Sequence, residues 1–247
     1  MKPERDTGET KRRGYTTGAC AQAATRAAVL SLAGEEPAAV SVVLPGGETA
    51  DFAVAVHEPG YCSVIKDAGD DPDITDGAEV FARVQPRQDG RVYVRGGEGV
   101  GRVTLAGLAI KPGRPAINPV PLRYIRREAR ITPGGADVTI SIPAGAELAR
   151  RTFNPRLGIT GGISVLGTTG RVEPWSAAAY QESLLPQLDM ARAAGIRRPV
   201  LVPGGKGEKA ALKNGFQPRA VVQAGNFMGF MLAAARERGF KQVALTG

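Results

Sequence analysis

The sequence predicts two domains: an α+β domain over residues 1–152, then a three-layer α/β/α domain with a mainly parallel sheet over 153–247. Three observations carry this reading. Up to about Thr152, strand-like runs outnumber helix-like runs and do not alternate with them. Past Asn154, short apolar strands and amphipathic helices alternate, the signature of βαβ units on a parallel sheet. Finally, 33 glycines and 18 prolines make up about a fifth of the 247 residues, so elements are short and turns frequent.

The elements follow in order. A charged leader over Met1–Gly14 has no apolar stretch that could serve as a secretory signal. Thr16-Thr17-Gly18 opens an Ala-rich helix over Ala19–Ala33, with a threonine N-cap before it and Gly34 closing it. A hairpin over Val40–Val56 turns at Pro45-Gly46-Gly47. Cys62–Ile65 is a strand running into a loop with Asp67, Asp70, Asp71, Asp73 and Asp76. Glu79–Pro86 and Arg91–Thr104 are strands, Pro119–Arg130 a helix and Ala136–Pro143 a strand. In the second half, strands over Gly158–Leu166, Val200–Pro203, Ala220–Gln223 and Gln242–Thr246 alternate with helices over Ser176–Ala194, after the Gly204 turn, and Asn226–Arg238.

Composition narrows the chemistry. The chain carries 32 basic against 24 acidic residues, a net +8, which points to an anionic partner. The charge is uneven: +7 over 153–247 and +1 over 1–152. Of the basic residues 24 are arginine, whose planar fork suits carboxylate or phosphate, although an Ala- and Arg-rich composition alone also yields such an excess. With 5% aromatics there is little to stack single-stranded bases. His57 is the single histidine and sits in a strand-like run, which argues against a Ser-His-Asp relay and against structural zinc. Two cysteines, Cys20 and Cys62, make no disulfide framework, so the expected compartment is the reducing cytoplasm. No apolar run is long enough to span a membrane.

Several motifs have both a functional and a plain structural reading. Gly97-Glu98-Gly99-Val100-Gly101 lacks dinucleotide-fingerprint spacing and runs into a strand, so it reads as a tight turn. Gly204, Gly205 and Glu208 follow one strand, and Gly225, Asn226 and Gly229 follow the next. Glycines at such strand ends let a ligand approach the backbone, and an acid there can bind ribose hydroxyls. Gly167-Thr168-Thr169-Gly170 is expected at the end of the first strand of the same sheet; each loop taken singly is also ordinary turn chemistry. The acidic loop fails as a calcium loop. It reads either as a solvated, cap-rich turn or as carboxylates, Asp67 and Asp70, that orient or deprotonate substrate beside Lys66. Arg123, Arg126, Arg127 and Arg130 share one helix face, either solvated or clamping ligand carboxylates.

Five strings together carry a resemblance. They are Arg13-Gly14-Tyr15-Thr16-Thr17-Gly18 before an Ala-rich helix, Val64–Asp73, Pro115–Pro121, Asn154–Ile159, and Gly161–Gly170 with Val172-Glu173-Pro174. In this order they resemble the CbiD family over nearly the whole chain. The resemblance implies S-adenosylmethionine-dependent methylation of C1 of cobalt-precorrin-5B, giving cobalt-precorrin-6A in anaerobic cobalamin biosynthesis. It also implies a first domain resembling ribosomal-protein-S5 folds, a polycarboxylate tetrapyrrole as partner rather than nucleic acid or membrane, and leaves a homo-oligomer open. On this reading the cofactor meets Gly204, Gly205, Glu208, Gly225, Asn226 and Gly229. The substrate lies between the domains against Thr16, Thr17, Lys66, Gly167, Thr168, Thr169, Arg123 and Arg127, with Asp67 and Asp70 at the chemistry and no metal ligands. Family members continue beyond the position of Gly247, so the resemblance implies that the family's C-terminal segment is lacking, and they often have asparagine where Gly205 stands. The alternatives are a non-catalytic tetrapyrrole binder and a basic RNA-binding module.

Overall fold

The computed structural model describes residues 11–174 and 177–247. The charged leader up to residue 10, and Ser176 at the expected start of the second-half helix, lie outside the described residues. The elements run β1 (Gly14–Tyr15), α1 (Thr17–Leu32), β2 (Ala39–Val43), β3 (Thr49–Ala53), β4 (Ala55–Glu58), β5 (Tyr61–Ile65), β6 (Glu79–Pro86), β7 (Arg91–Gly96) and β8 (Arg102–Val103). They continue α2 (Pro119–Ala129), β9 (Gly135–Ser141), α3 (Gly145–Ala149), β10 (Ile159–Thr160), β11 (Arg171–Val172), α4 (Ala177–Ala193), β12 (Val200–Val202), α5 (Gly205–Lys213), β13 (Val221–Gln223), α6 (Met228–Glu237) and β14 (Ala244–Leu245). The fold is mixed α/β with sheets at its core.

Two compact units emerge, each assembled from three chain segments rather than separated by one cut near residue 152. Among the described residues, unit 1 comprises 11–95, 120–142 and 165–174, and unit 2 comprises 96–119, 143–164 and 177–247. The interleaving has a local cause in unit 2. There β8 pairs antiparallel with β10, and Gly145 and Gly162 press so closely on the Gly99 carbonyl that a Cβ on either would lie 2.1 and 2.0 Å from it.

Unit 1 is built on a five-stranded sheet in the order β4-β5-β6-β9-β7. Its strands alternate buried and less buried positions, as in Val80, Ala82 and Val84 of β6. Helix α1 lies across β5 and β6. Its alanines Ala21, Ala24 and Ala28 are fully buried, and small side chains let the helix come close to the strands. Thr16 caps α1 as expected, its hydroxyl accepting from the Ala19 amide at 3.2 Å. The β2–β3 hairpin turns at the expected Pro45-Gly46-Gly47. Burial pushes the Cys20 thiol up to about 12, so it stays protonated and inert.

Unit 2 contains a three-stranded parallel sheet in the order β13-β12-β14. Leu201 and Val222 face Leu184 and Leu188 of α4 and Met231 and Ala234 of α6. Val200, Val202 and Val221 cluster instead with Ala211 of α5. The strand expected over Gly158–Leu166 is a correction. Only Ile159–Thr160 is strand, and it pairs with β8, outside the parallel sheet. Gly158 and Gly161 hold φ of +61 and +80°, which breaks an extended run. Among the described residues no helix is long and apolar enough to cross a membrane.

Candidate functional site

In unit 1 the acidic loop after β5 is ordered by its own carboxylates. Asp67 is held by both terminal nitrogens of Arg12, at 2.5 and 2.8 Å, and accepts from the Gly69 amide at 2.8 Å. The Arg12 hydrogen bond, followed by that amide, holds its carboxyl down at about 2. Asp70 accepts from the Arg12 backbone amide at 2.6 Å. Asp76 accepts from the Ala68 amide at 2.8 Å, and Asp73 from the amide and hydroxyl of Thr75 at 2.8 and 2.7 Å. Asp73 also meets the Lys66 ammonium at 2.9 Å, where the lysine side chain is only 1% exposed. Burial works against the Asp73 charge, but Lys66 and Thr75 together outweigh it and the carboxyl lies below its ordinary range. Asp67 and Asp70 are thus joined through one arginine, whereas Lys66 is buried and must leave Asp73 to touch a ligand.

Thr16, Thr17 and the Gly167 turn do come together. The Thr17 hydroxyl accepts from the Leu166 amide at 3.0 Å, and the Gly18 amide donates to the Leu166 carbonyl at 2.9 Å. A Cβ on Gly167 would lie 2.2 Å from the Thr16 hydroxyl oxygen. Thr168 and Thr169 are exposed beside them, and the Thr169 carbonyl accepts from Gly46 at the hairpin tip at 2.9 Å. This turn belongs to unit 1 and leads into β11, which pairs with β1. The expectation that it ends a strand of the parallel sheet is therefore corrected, for the same reason that the preceding run is not a strand of that sheet.

The arginines of α2 divide. Arg127 donates to the Val43 carbonyl at 2.7 Å and to Glu128 at 3.0 Å, so it is occupied within the fold. Glu128 is buried and also accepts from Gln22 at 2.9 Å. Arg123 is exposed, with its guanidinium 5.5 Å from the Tyr124 ring centre.

His57 has company that the sequence did not reveal. Its Nε2 lies 2.9 Å from the Ser63 hydroxyl, which donates to Glu79 at 2.6 Å. The same nitrogen is 3.8 Å from Glu79. A relay needs the imidazole between serine and acid through its two nitrogens. Here serine itself stands between them, so the cluster is a polar contact across β4, β5 and β6.

In unit 2, parallel pairing of β12 with β13 sets their carboxyl ends side by side. Gly204 and Gly205 therefore neighbour Gly225 and Asn226 across that edge, with Gly229 in the first turn of α6. Nothing lies within 4 Å of a Cβ built on Gly204, Gly205 or Gly229. Gly225 holds φ +55°, which favours glycine. Glu208, in the first turn of α5, accepts from Gln223 Nε2 at 3.2 Å and pairs with Arg156. From Glu208 a cavity of about 350 Å³ runs beside the edge strand β13, with Leu105, Met190, Ala193 and Ala194 as apolar walls and Arg156 and Arg219 as cations. Gln187 seals that edge, its amide bonding the Gln223 N–H at 3.0 Å and its carbonyl at 3.4 Å. The cavity walls come from five separate chain segments, so only Glu208 among them was legible as a candidate. Among the described residues no cluster of His, Cys, Asp and Glu could hold a metal ion.

The CbiD family model matches residues 4–174. The chain is 50% identical over 244 residues to the protein named cobalt-precorrin-5B C(1)-methyltransferase of Moorella thermoacetica, covering 96% of this chain and 67% of that one. To the protein of the same name from Thermoanaerobacter sp. it is 45% identical over 248 residues, covering 97% and 68%. The chain thus spans about two thirds of the length of these curated relatives. The crystal structure titled cobalamin biosynthesis protein (cbiD), from Archaeoglobus fulgidus, superposes with a TM-score of 0.59 at 30% identity, over 95% of this chain and 86% of that one. The match of motif, sequence and fold leads to one conclusion: the chain belongs to the CbiD family.

Proposed function

We propose that the protein is a cobalt-precorrin-5B C(1)-methyltransferase, transferring a methyl group from S-adenosylmethionine to C1 of the tetrapyrrole in cobalamin biosynthesis. The observation that carries this is 50% identity over nearly the whole chain to a relative of that name. Unit 1 is read as the substrate-facing part, with the S5-like fold the resemblance implies, and unit 2 as the part that binds the donor.

When bound, the donor supplies an electrophilic sulfonium methyl. The residues of unit 2 fit such a group. A cavity of about 350 Å³ with apolar walls, one carboxylate and two arginines suits a nucleoside that carries a carboxylate. Met190, Ala193 and Ala194 would wall the adenine, and Glu208 would accept ribose hydroxyls in exchange for Arg156, freeing that guanidinium for the methionine carboxylate. Gly204, Gly205, Gly225, Asn226 and Gly229 would offer backbone amides at the strand ends. In unit 1, Thr16, Thr17 and the Gly167–Thr169 turn would present hydroxyls and backbone groups to the macrocycle and Arg123 a cation to its carboxylates, whereas Arg127 is held by the Val43 carbonyl and Glu128, and Lys66 by Asp73. C1 belongs to an electron-rich π system and can attack the methyl directly, so orientation and exclusion of water are the main demands. Asp67, held down at about 2, is a poor proton acceptor; with Asp70 it is assigned to orienting substrate through charge.

The cofactor placement has its own test, calorimetric titration with S-adenosylhomocysteine. Ala194→Trp, which fills the cavity, should abolish measurable binding, and Glu208→Ala and Asn226→Ala should each weaken it about tenfold, the scale of one lost hydrogen bond to a charged or buried partner. Unchanged affinity in all three folded variants would remove the donor from this part of unit 2.

A further inference from the structure

The groove between β7 and α2 is not needed for any step above. It occupies about 350 Å³ and is lined by Gly90, Arg91, Val92, Tyr93, Arg126 and Arg130. Three of the six carry a positive charge and none carries a negative one. The neighbouring arginines show that this is unusual for the region. Arg87 is paired with Asp89 at 2.7 Å and Asp137 at 2.5 Å, and Arg95 with Asp137 at 3.0 Å. On α2 itself Arg127 is paired with Glu128 at 3.0 Å. Arg126 and Arg130 make no ion pair among the described residues, and the Arg91 guanidinium hydrogen-bonds the Tyr93 hydroxyl at 3.4 Å and feels the Asp89 carboxylate, which is itself paired with Arg87.

Two arginines near the C-terminus of α2 favour the helix dipole, which accounts for Arg126 and Arg130 singly. It does not account for Arg91 converging on them from the sheet. Like charges gathered in one groove repel, and an anion placed among them converts that repulsion into charge-assisted hydrogen bonds. β7 is the last strand of its sheet, so this wall of the groove lies at an open edge. The small volume suits a compact ligand better than a nucleic-acid backbone tracking across a surface.

We propose that this groove is a binding site for a small oxyanion bearing two or more negative charges, either a polycarboxylate or a phosphoryl compound. Arg91, Arg126 and Arg130 supply forked N–H donors, and Tyr93, 38% exposed, adds a hydroxyl and closes one side. The site is read from charge and shape alone and stands independently of methyl transfer.

The test is calorimetric titration of the whole chain at low salt with citrate, pyrophosphate and inorganic phosphate. Citrate or pyrophosphate should bind more tightly than inorganic phosphate, and weaken as salt is raised. The variant Arg126→Gln/Arg130→Gln, whose changes are both at exposed positions, should keep its far-ultraviolet circular dichroism and lose at least tenfold in affinity. Arg91→Gln should do the same, and Arg198→Gln, an exposed arginine of unit 2, should bind as the parent does. Preference for citrate assigns the site to carboxylates and preference for pyrophosphate to phosphoryl groups. Absence of binding by all three anions, or affinity unchanged in the folded Arg126→Gln/Arg130→Gln protein, would overturn the proposal.

Discussion

Replacing Asp73 by Asn should destabilise the protein by about 3–5 kcal/mol at neutral pH, the scale of removing one partner from a buried ion pair. The Lys66 side chain is 1% exposed and its ammonium has Asp73 as its ion-pair partner at 2.9 Å. The substitution leaves that charge inside without a counter-charge. The double variant Lys66→Met/Asp73→Asn should recover most of the loss, because an apolar side chain of similar length has no charge to leave stranded. The pH dependence follows from the depressed Asp73 carboxyl. A group whose folded pKa lies below its unfolded value adds stability above the unfolded pKa, about 3.9 for Asp, and that stability is lost as pH falls through the folded value. The stability gap between parent and Asp73→Asn should therefore be full at pH 6 to 7 and narrow below about pH 4. Chemical denaturation across that range measures it. A gap that stays constant into acid would show that the ion pair is not the source of the loss.

Gly14→Ala should be the most disruptive single methyl addition at the acidic loop. A Cβ there would lie 1.9 Å from the Ala68 carbonyl carbon and 2.2 Å from its oxygen. Both are backbone atoms, so no rotamer change relieves the clash, and β1 or the loop must move. The expected cost is about 3 kcal/mol or more, at or above the usual range for overpacking. The displacement also pulls Arg12 away from Asp67 and Asp70, so methyl transfer should fall even in the fraction that folds. Gly34→Ala is the comparison: its φ is +89°, but nothing lies within 4 Å of the added Cβ, so only local strain of about 1–2 kcal/mol is expected. Thermal melts of the two variants should differ clearly. Equal melting temperatures would mean that the approach of Gly14 to Ala68 is not a fixed feature of the fold.

The parts of the fold that were legible in the sequence are those written in local chemistry. Thr16 before an Ala-rich run announces α1, Pro45-Gly46-Gly47 announces the β2–β3 hairpin, and the β12-α5-β13-α6 alternation announces a parallel sheet. What was not legible depends on partners far apart in the chain. β8 with β10 and β1 with β11 are two-residue pairings between distant segments, and a run that short has no periodicity to read. Those pairings are why the units interleave and why the Gly167 turn belongs to unit 1. The site divides in the same way. Five aspartates in ten residues mark the acidic loop, yet the capture of Asp67 by Arg12, 55 positions away, and of Asp73 by a buried Lys66 sets their basicity and access. Glu208 stood out beside its glycines, whereas the cavity it borders is walled by residues from five segments, and its own is the single one with a signature.

The most direct test of the account is to incubate the folded chain with cobalt-precorrin-5B and S-adenosylmethionine carrying a ¹³C-labelled methyl group, and to analyse the tetrapyrrole by mass spectrometry and carbon NMR. A gain of one labelled methyl per macrocycle is expected, with the label at C1. A macrocycle recovered without label from protein that is folded and binds S-adenosylhomocysteine would contradict it.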